Sequence, residues 1–170
     1  MRKSTALVVT LTLLLIGHPA WAQTDEAKEH EELAKALTAA KVSLQTGLSA
    51  SASAGTPISA KYEVEDGKLQ LSVYTKKGTG FSEVIVDHTT GKVKKTEPIT
   101  SGDDLSAAKA QAETMAKARR SLRTAANQAT NDNKGYRVVS VMPAFKEGHP
   151  VAEVTLVKGQ DFKVVPEKLD

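Results

Sequence analysis

Residues 58–93 read ISAKYEVEDGKLQLSVYTKKGTGFSEVIVDHTTGKV, and apolar and polar side chains alternate along most of this stretch. A period of two is typical of strands that bury one face. Asp66-Gly67 and Gly78-Thr79-Gly80 interrupt the alternation and favour tight turns, because glycine tolerates a positive φ. Asp87 starts a further turn that ends at Lys92. The stretch therefore predicts a three-stranded antiparallel meander.

A helical pattern precedes this meander and another follows it. In residues 24–48 the apolar positions are three or four apart, which is the spacing of one helix face: Leu33, Leu37, Ala40, Leu44 and Leu48. Residues 102–130 carry a similar stripe that is rich in alanine, and Ser101 is a suitable N-cap. The small and polar residues 49–57 predict a loop. We therefore predict one continuous helix ahead of each meander.

The order of helix and meander occurs twice. Three further strands are predicted at residues 136–145, 151–157 and 162–165. Four residues recur 81 positions later: Gly67, Lys77, Gly78 and Phe81 match Gly148, Lys158, Gly159 and Phe162, and Ser43 and Leu44 match Ser121 and Leu122 at a displacement of 78. We predict an α+β fold of two repeats, each with one helix packed on a three-stranded antiparallel meander. The repeats occupy residues 23–97 and 98–170.

The N-terminus has the three parts of a secretory signal peptide. Arg2 and Lys3 precede an apolar run over residues 5–17, and Ala20-Trp21-Ala22 is a small-x-small cleavage motif. The apolar run is shorter than the roughly 20 residues that a membrane-spanning helix needs. We predict that residues 1–22 are removed by cleavage between Ala22 and Gln23. The mature protein is then expected in a bacterial periplasm, without a membrane span.

Composition excludes several kinds of chemistry. The chain has no cysteine, which excludes disulfides, cysteine-based zinc sites, thiol catalysis and lipid attachment through a lipobox cysteine. The formal net charge of +3 loses two positive charges with Arg2 and Lys3. A nearly neutral exported protein is a poor partner for nucleic acid, so we expect no nucleic-acid binding.

The sequence contains no motif for catalysis or for binding a cofactor or metal. His30, His88 and His149 lack the HExxH spacing, and neither a G-x-S-x-G motif nor a glycine-rich phosphate loop is present. His30 is expected on a solvated helix face. Asp87 invites interpretation as a metal-binding turn, but a capped reversal is favoured, because aspartate side chains accept hydrogen bonds from the backbone two residues on. We therefore assign Asp87, Thr90 and Gly91 a structural role.

Residues 33–94 resemble the PepSY domain, which occurs in propeptides of thermolysin-like metallopeptidases and in many exported bacterial proteins. Two motifs carry the resemblance: Glu65-Asp66-Gly67, and Val86-Asp87-His88-Thr89-Thr90-Gly91-Lys92-Val93. The second unit departs from the pattern, since Pro166-Glu167-Lys168-Leu169-Asp170 replaces the D-x-x-T-G turn. The resemblance implies a cystatin-like wrapping of a sheet around a helix, no catalysis, and binding or inhibition of a peptidase.

Two functions of different class follow. The first is a non-catalytic tandem PepSY-like protein that binds an envelope protein, with inhibition of an exported metallopeptidase as one form. An exposed sheet edge or an apolar groove between the repeats would favour this function, and edge strands pair with extended peptides. The alternative is a periplasmic protein that binds a small ligand or a metal. It would require a closed pocket in which His88 or His149 converges with carboxylates. The sequence leaves the oligomeric state open.

Overall fold

The computed structural model describes residues 20–170, with side chains from residue 26 onward. Seven strands form one antiparallel sheet in the order β4-β3-β2-β1-β5-β6-β7. The strands are β1 (Thr56–Glu65), β2 (Lys68–Lys77), β3 (Gly80–Val86), β4 (Val93–Pro98), β5 (Arg137–Lys146), β6 (His149–Lys158) and β7 (Asp161–Lys168). Four α-helices accompany them: α1 (Ala20–Ala36), α2 (Leu44–Ala50), α3 (Gly102–Met115) and α4 (Leu122–Asp132). The predicted α+β class is confirmed.

The predicted signal peptide lies mostly outside the described residues. Residues 1–19 are not among them, and the predicted cleavage site between Ala22 and Gln23 falls in the first turn of α1. Within residues 20–170, every helix is too short or too polar to cross a bilayer.

Two hairpins have the turn chemistry that their sequences predict. Asp66 and Gly67 join β1 to β2 with φ of 50° and 71°. Glu147 and Gly148 join β5 to β6 with φ of 52° and 83°. Two consecutive residues with positive φ match the right-handed twist of the flanking strands, which explains these tight connections.

A fourth strand in the first half is absent from the sequence prediction. β4 pairs antiparallel with β3, where the sequence analysis ended the meander at Val93. All six β4 side chains are exposed, so VKKTEP shows no alternation between buried and solvated positions. An edge strand without a buried side chain leaves no periodic signal in the sequence.

The prediction of one continuous helix ahead of each meander is wrong. A 3-10 turn at Leu37–Ala39 and an extended segment separate α1 from α2, and residues 116–121 separate α3 from α4. Each second helix starts at a serine cap: the Ser43 Oγ accepts from the Thr46 N–H, and the Ser121 Oγ accepts from the Thr124 N–H, both at 3.1 Å. The apolar stripes continue across both breaks, so helical periodicity does not reveal them.

The breaks allow helices to contact both faces of the sheet. We call the face that carries Leu71 and Val73 the inner face, and α2 and α4 lie there side by side. The Gln45 side chain of α2 donates to the Thr130 Oγ1 of α4 at 3.2 Å. The opposite, outer face carries Ser59, Tyr74, Phe81 and Phe162 by strand alternation. α3 lies on this outer face, and α1 reaches it through the contact of His30 with Phe162.

One main core spans both halves of the chain. It is formed by the inner face of the sheet and the buried sides of α2 and α4, and its largest fully buried members include Leu44, Leu71, Leu122, Val141, Val154 and Leu156. A smaller cluster lies under α3. It contains Ile58, Ala108 and Ala112, with Tyr74, Phe81, Ile99 and Met115 partly buried around them.

Candidate functional site

A groove of about 550 Å³ lies between α3, the start of β1, the end of β2 and the start of β3. Its floor is apolar and is formed by Ile58, Phe81, Ala112 and Met115. The charged side chains on its rim are Lys76, Lys109 and Glu113, and Thr56, Gly78 and Ala116 complete the lining. An apolar floor with a few charged rim groups suits a ligand that is partly apolar and partly charged.

A β-bulge directs Ile58 beneath α3, at the floor of this groove. The register between β1 and β2 shifts between Pro57 and Ser59, so Ile58 has no opposite residue on β2. An extra residue of this kind bends the strand and redirects a side chain. Ile58 is 1% exposed because it packs beneath α3.

Hydrogen bonds hold α3 in place as the wall of the groove. The Tyr74 hydroxyl donates to the Asp104 carboxylate at 2.8 Å, and the Ser59 hydroxyl donates to the Gln111 side chain at 2.8 Å. Burial, reinforced by the neighbouring Asp104 carboxylate, raises the pKa of Tyr74 well above its usual range. The raised pKa favours the protonated hydroxyl, which is the donor in this bond.

The cations on the rim are free to meet a ligand. Lys76 and Lys109 are exposed, and within the described residues neither forms an ion pair. Glu113 is also exposed and unpaired there. Two lysines against one glutamate make the rim positive, so it favours an anionic group beside the apolar floor.

The predicted turn residues lie elsewhere, against the corner between α1 and α2. The Asp87 carboxylate accepts hydrogen bonds from the Thr89 and Thr90 N–H groups at 2.9 and 2.8 Å. These backbone donors, with Lys94 nearby, hold the pKa of Asp87 below its usual range. Gly91 has φ of 75°, and a side chain there would meet Thr46 of α2 at 3.0 Å. The geometry is that of a capped reversal.

The three histidines within the described residues do not line the groove. His30, expected on a solvated helix face, is only partly exposed, because its ring stacks on Phe162 with centroids 4.1 Å apart. The His149 Nδ1 lies 2.7 Å from an Asp170 oxygen, and the His88 Nδ1 lies 3.4 Å from the Thr89 hydroxyl. Across residues 26–170, no three histidine or carboxylate side chains are grouped to hold a metal ion.

The sheet edges have the composition of protected edges. β4 is one edge strand and presents Lys94, Lys95 and Pro98. β7 is the other and presents Lys163, Pro166 and Lys168. Lysine and proline on an edge discourage the addition of a further strand. Of the two docking surfaces expected from the sequence, the sheet edges are therefore protected against strand addition.

An apolar groove between the repeats was one docking surface considered from the sequence, but its position and lining were not predicted. Ile58 and Phe81 fall in predicted strands, and Ala112 and Met115 fall in the predicted helix stripe of residues 102–130. The groove arises only because α3 crosses onto the outer face, which requires the break at residues 116–121. Lys76 and Lys109 can be read from the sequence, but nothing in the sequence shows that both line one groove.

No family model and no curated protein matches the sequence. Among solved structures, the crystal structure of a putative lipoprotein from Clostridium difficile 630 is similar with a TM-score of 0.38. The two chains are 10% identical, and the similarity covers 67% of this chain and 75% of that chain.

Proposed function

We propose that this chain is a non-catalytic exported binding module that holds a segment of an envelope protein in the groove beside α3. The observation that carries the proposal is the groove itself, with its floor of Ile58, Phe81 and Met115 and its positive rim. Its volume lies within the roughly 300–1,000 Å³ that is common for ligand sites. An open groove of this size accommodates one or two side chains of a partner.

An exported metallopeptidase is the first candidate partner. The PepSY resemblance of residues 33–94 is the reason for this choice, since that family occurs in peptidase propeptides. Inhibition of the peptidase is the expected effect, because a propeptide-like module that docks beside a catalytic cleft obstructs the substrate.

We also propose that residues 23–97 and 98–170 are tandem PepSY-like repeats. Two matching backbone contacts support this. The Lys41 and Val42 N–H groups donate to the His88 carbonyl at 2.8 and 3.1 Å. In the second half, two consecutive N–H groups donate to the Leu169 carbonyl in the same way, and they belong to Arg119 and Arg120 at 2.6 and 2.9 Å.

These contacts preserve the displacements found in the sequence. Arg119 lies 78 positions after Lys41, and Ser121 likewise lies 78 positions after Ser43. Leu169 lies 81 positions after His88, and Phe162 likewise lies 81 positions after Phe81. The divergent tail of the second unit thus supplies a carbonyl where the first unit uses its D-x-x-T-G turn. A contact made by backbone atoms survives a complete change of side chains, which explains how the motif can be absent while the arrangement is present.

Site-specific crosslinking tests the binding proposal. A photoreactive p-benzoylphenylalanine replaces Lys109 on the groove rim in the full chain, which is expressed in its host. The matched control carries the same group at Lys134, an exposed residue that does not line the groove. We expect one identified envelope protein to crosslink from position 109 only. Equal crosslinking from both positions, or none from 109, would overturn the proposal.

A titration against the identified partner completes the test. Ala116→Trp places an indole at the groove mouth, on an exposed residue where it leaves the core intact. We expect this variant to bind the partner at least tenfold more weakly than the unmodified chain. If the partner is a peptidase, its hydrolysis rate is followed in the same titration. A small molecule that co-purifies with the unmodified chain and is lost from Ala116→Trp would instead establish the small-ligand alternative.

A further inference from the structure

Phe81 and Phe162 occupy matching places in the sheet. Phe81 is the second residue of β3 and pairs with Lys76, the second-to-last residue of β2. Phe162 is the second residue of β7 and pairs with Val157, the second-to-last residue of β6. The two phenylalanines are one of the recurring pairs in the sequence, and both lie on the outer face.

The groups that pack on the two rings differ. The imidazole of His30, which α1 supplies, lies on the Phe162 ring with an interplanar angle of 4°. α3 lies beside Phe81 but contains no aromatic residue. At the displacement of 78 that relates the two helix regions, the counterpart of His30 is Ala108. Phe81 therefore lines an open groove, where Phe162 is covered by a ring from its own chain.

We propose that the groove binds an aromatic side chain of the partner, stacked on Phe81 as His30 is stacked on Phe162, with an adjacent carboxylate held by Lys76 and Lys109. The inference rests on the proposed function and names the chemistry of the segment that the groove takes. Parallel stacking on a partly buried phenylalanine ring is a geometry that this chain already uses once.

The charge on the rim supplies the second part of the recognition. Lys76 and Lys109 have no ion partner among the described residues, and Glu113 is the single acidic side chain of the lining. Exposed pairs are screened by salt, so the carboxylate contributes mostly at low ionic strength. Contacts with the apolar floor and the ring of Phe81 involve no net charge and are not weakened by this screening.

Short blocked peptides test this recognition directly. The probe is N-acetylated Gly-Asp-Phe-Asp-Gly amide, and NMR titration follows the methyl signals of Ile58 and Met115 in the purified chain. We expect saturable shifts with this peptide and about tenfold weaker binding when leucine replaces its phenylalanine, in line with the preference of aromatic rings for one another. Lysine in place of both aspartates is expected to abolish saturation. Equal binding of the phenylalanine and leucine peptides would overturn the stacking.

Two matched variants locate the stacking partner. Phe81→Leu keeps an apolar side chain but removes the ring, and we expect it to bind both peptides equally. Phe162→Leu makes the same change at the covered position, and we expect it to retain the preference for phenylalanine. Chemical denaturation of both variants checks that each is folded. Loss of the preference in Phe162→Leu as well would contradict the assignment to Phe81.

The two proposals can fail separately. If the crosslinked partner is lost in Ala116→Trp but its groove-bound segment contains no aromatic residue, the ligand chemistry is wrong and the binding function stands. If the peptides bind as expected but position 109 captures no envelope protein, the groove chemistry stands and the proposed class of partner is wrong.

Discussion

Ala60 and Val141 lie directly opposite each other where β1 pairs with β5, and Val141 stands at a displacement of 81 from Ala60. The same displacement separates the first residues of β2 and β6, Lys68 and His149. The strands that join the two halves are thus paired through corresponding residues. Under the proposed duplication, a local twofold axis would pass between Ala60 and Val141. The pairing supports the proposed duplication and joins both meanders into one sheet.

The shared sheet predicts one cooperative unfolding transition that is sensitive to Val141. Val141→Ala removes two buried methyl groups from a core that spans both halves, and we expect it to lower the free energy of unfolding by about 2 kcal/mol. Val164→Ala makes the same change at a side chain that is 43% exposed, and we expect less than about 0.5 kcal/mol. Urea denaturation followed by circular dichroism measures both. Two separate transitions would show that the halves are independent.

Arg137 of β5 stabilises the corner between α1 and α2. Its guanidinium donates to the Val42 carbonyl at 2.7 Å and to the Leu37 carbonyl at 3.2 Å. Arg137→Met leaves these carbonyls without their charged donor, and we expect a loss of about 2 kcal/mol in the free energy of unfolding. Arg123→Met changes an exposed arginine of α4 and is expected to stay within about 0.5 kcal/mol. Equal losses in the two variants would refute a specific role for Arg137.

Gly47 permits the close approach of α2 to the sheet. A side chain at this position would meet the Leu71 Cδ2 at 2.7 Å. Gly47→Ala gains about 1 kcal/mol of helix propensity, but overpacking typically costs about 1–3 kcal/mol. We therefore expect a net destabilisation of about 1 kcal/mol in thermal or urea denaturation.

The double variant isolates this clash. Leu71→Ala alone should cost about 2–5 kcal/mol because it leaves a cavity. Adding Gly47→Ala to it should be neutral or stabilising, since the new methyl group enters that cavity. A double variant that merely adds the two losses would show that the clash is not the cause.

Asp87 makes stability depend on pH in the acid range. Its folded pKa is lowered by the Thr89 and Thr90 N–H groups, so the stabilisation is present above the unfolded pKa of about 3.9. It is lost as the pH falls through the folded value. Asp87→Asn retains an acceptor but not the charge. We expect the variant to have a lower denaturation midpoint at pH 7 and to approach the unmodified chain at the most acidic pH at which both fold. A difference that is constant with pH would contradict this.

The exported form should begin at Gln23. Ala20-Trp21-Ala22 is the predicted cleavage motif, and the only tryptophan of the chain precedes the cut. We expect intact-mass measurement of the periplasmic protein to show the loss of residues 1–22, and its fluorescence spectrum to lack tryptophan emission. A retained N-terminus in the exported protein would refute the prediction.

The sequence by itself determined the class of the fold and most of the strands. Alternation in β1, β2, β5 and β6, together with Asp66-Gly67 and Gly148, specified strands and turns, because these signals depend on neighbouring residues and on which side chains are buried. Ser43 and Ser121 were recognised in the sequence only as a residue that recurs at a displacement of 78. Their role as helix N-caps was not predicted. Where a strand buries no side chain, as in β4, the sequence contains no alternation that predicts the strand.

Only the tertiary structure decided which helices pack on each face of the sheet. It also decided that a groove forms beside α3. The apolar stripes of residues 24–48 and 102–130 continue across the breaks, so they cannot show that the chain changes face. The breaks are held by long-range contacts, such as those of Lys41 with His88 and of Arg119 with Leu169. The groove between Phe81 and α3 follows from that change of face. Its residues are brought together by contacts between distant parts of the chain, which no local pattern records.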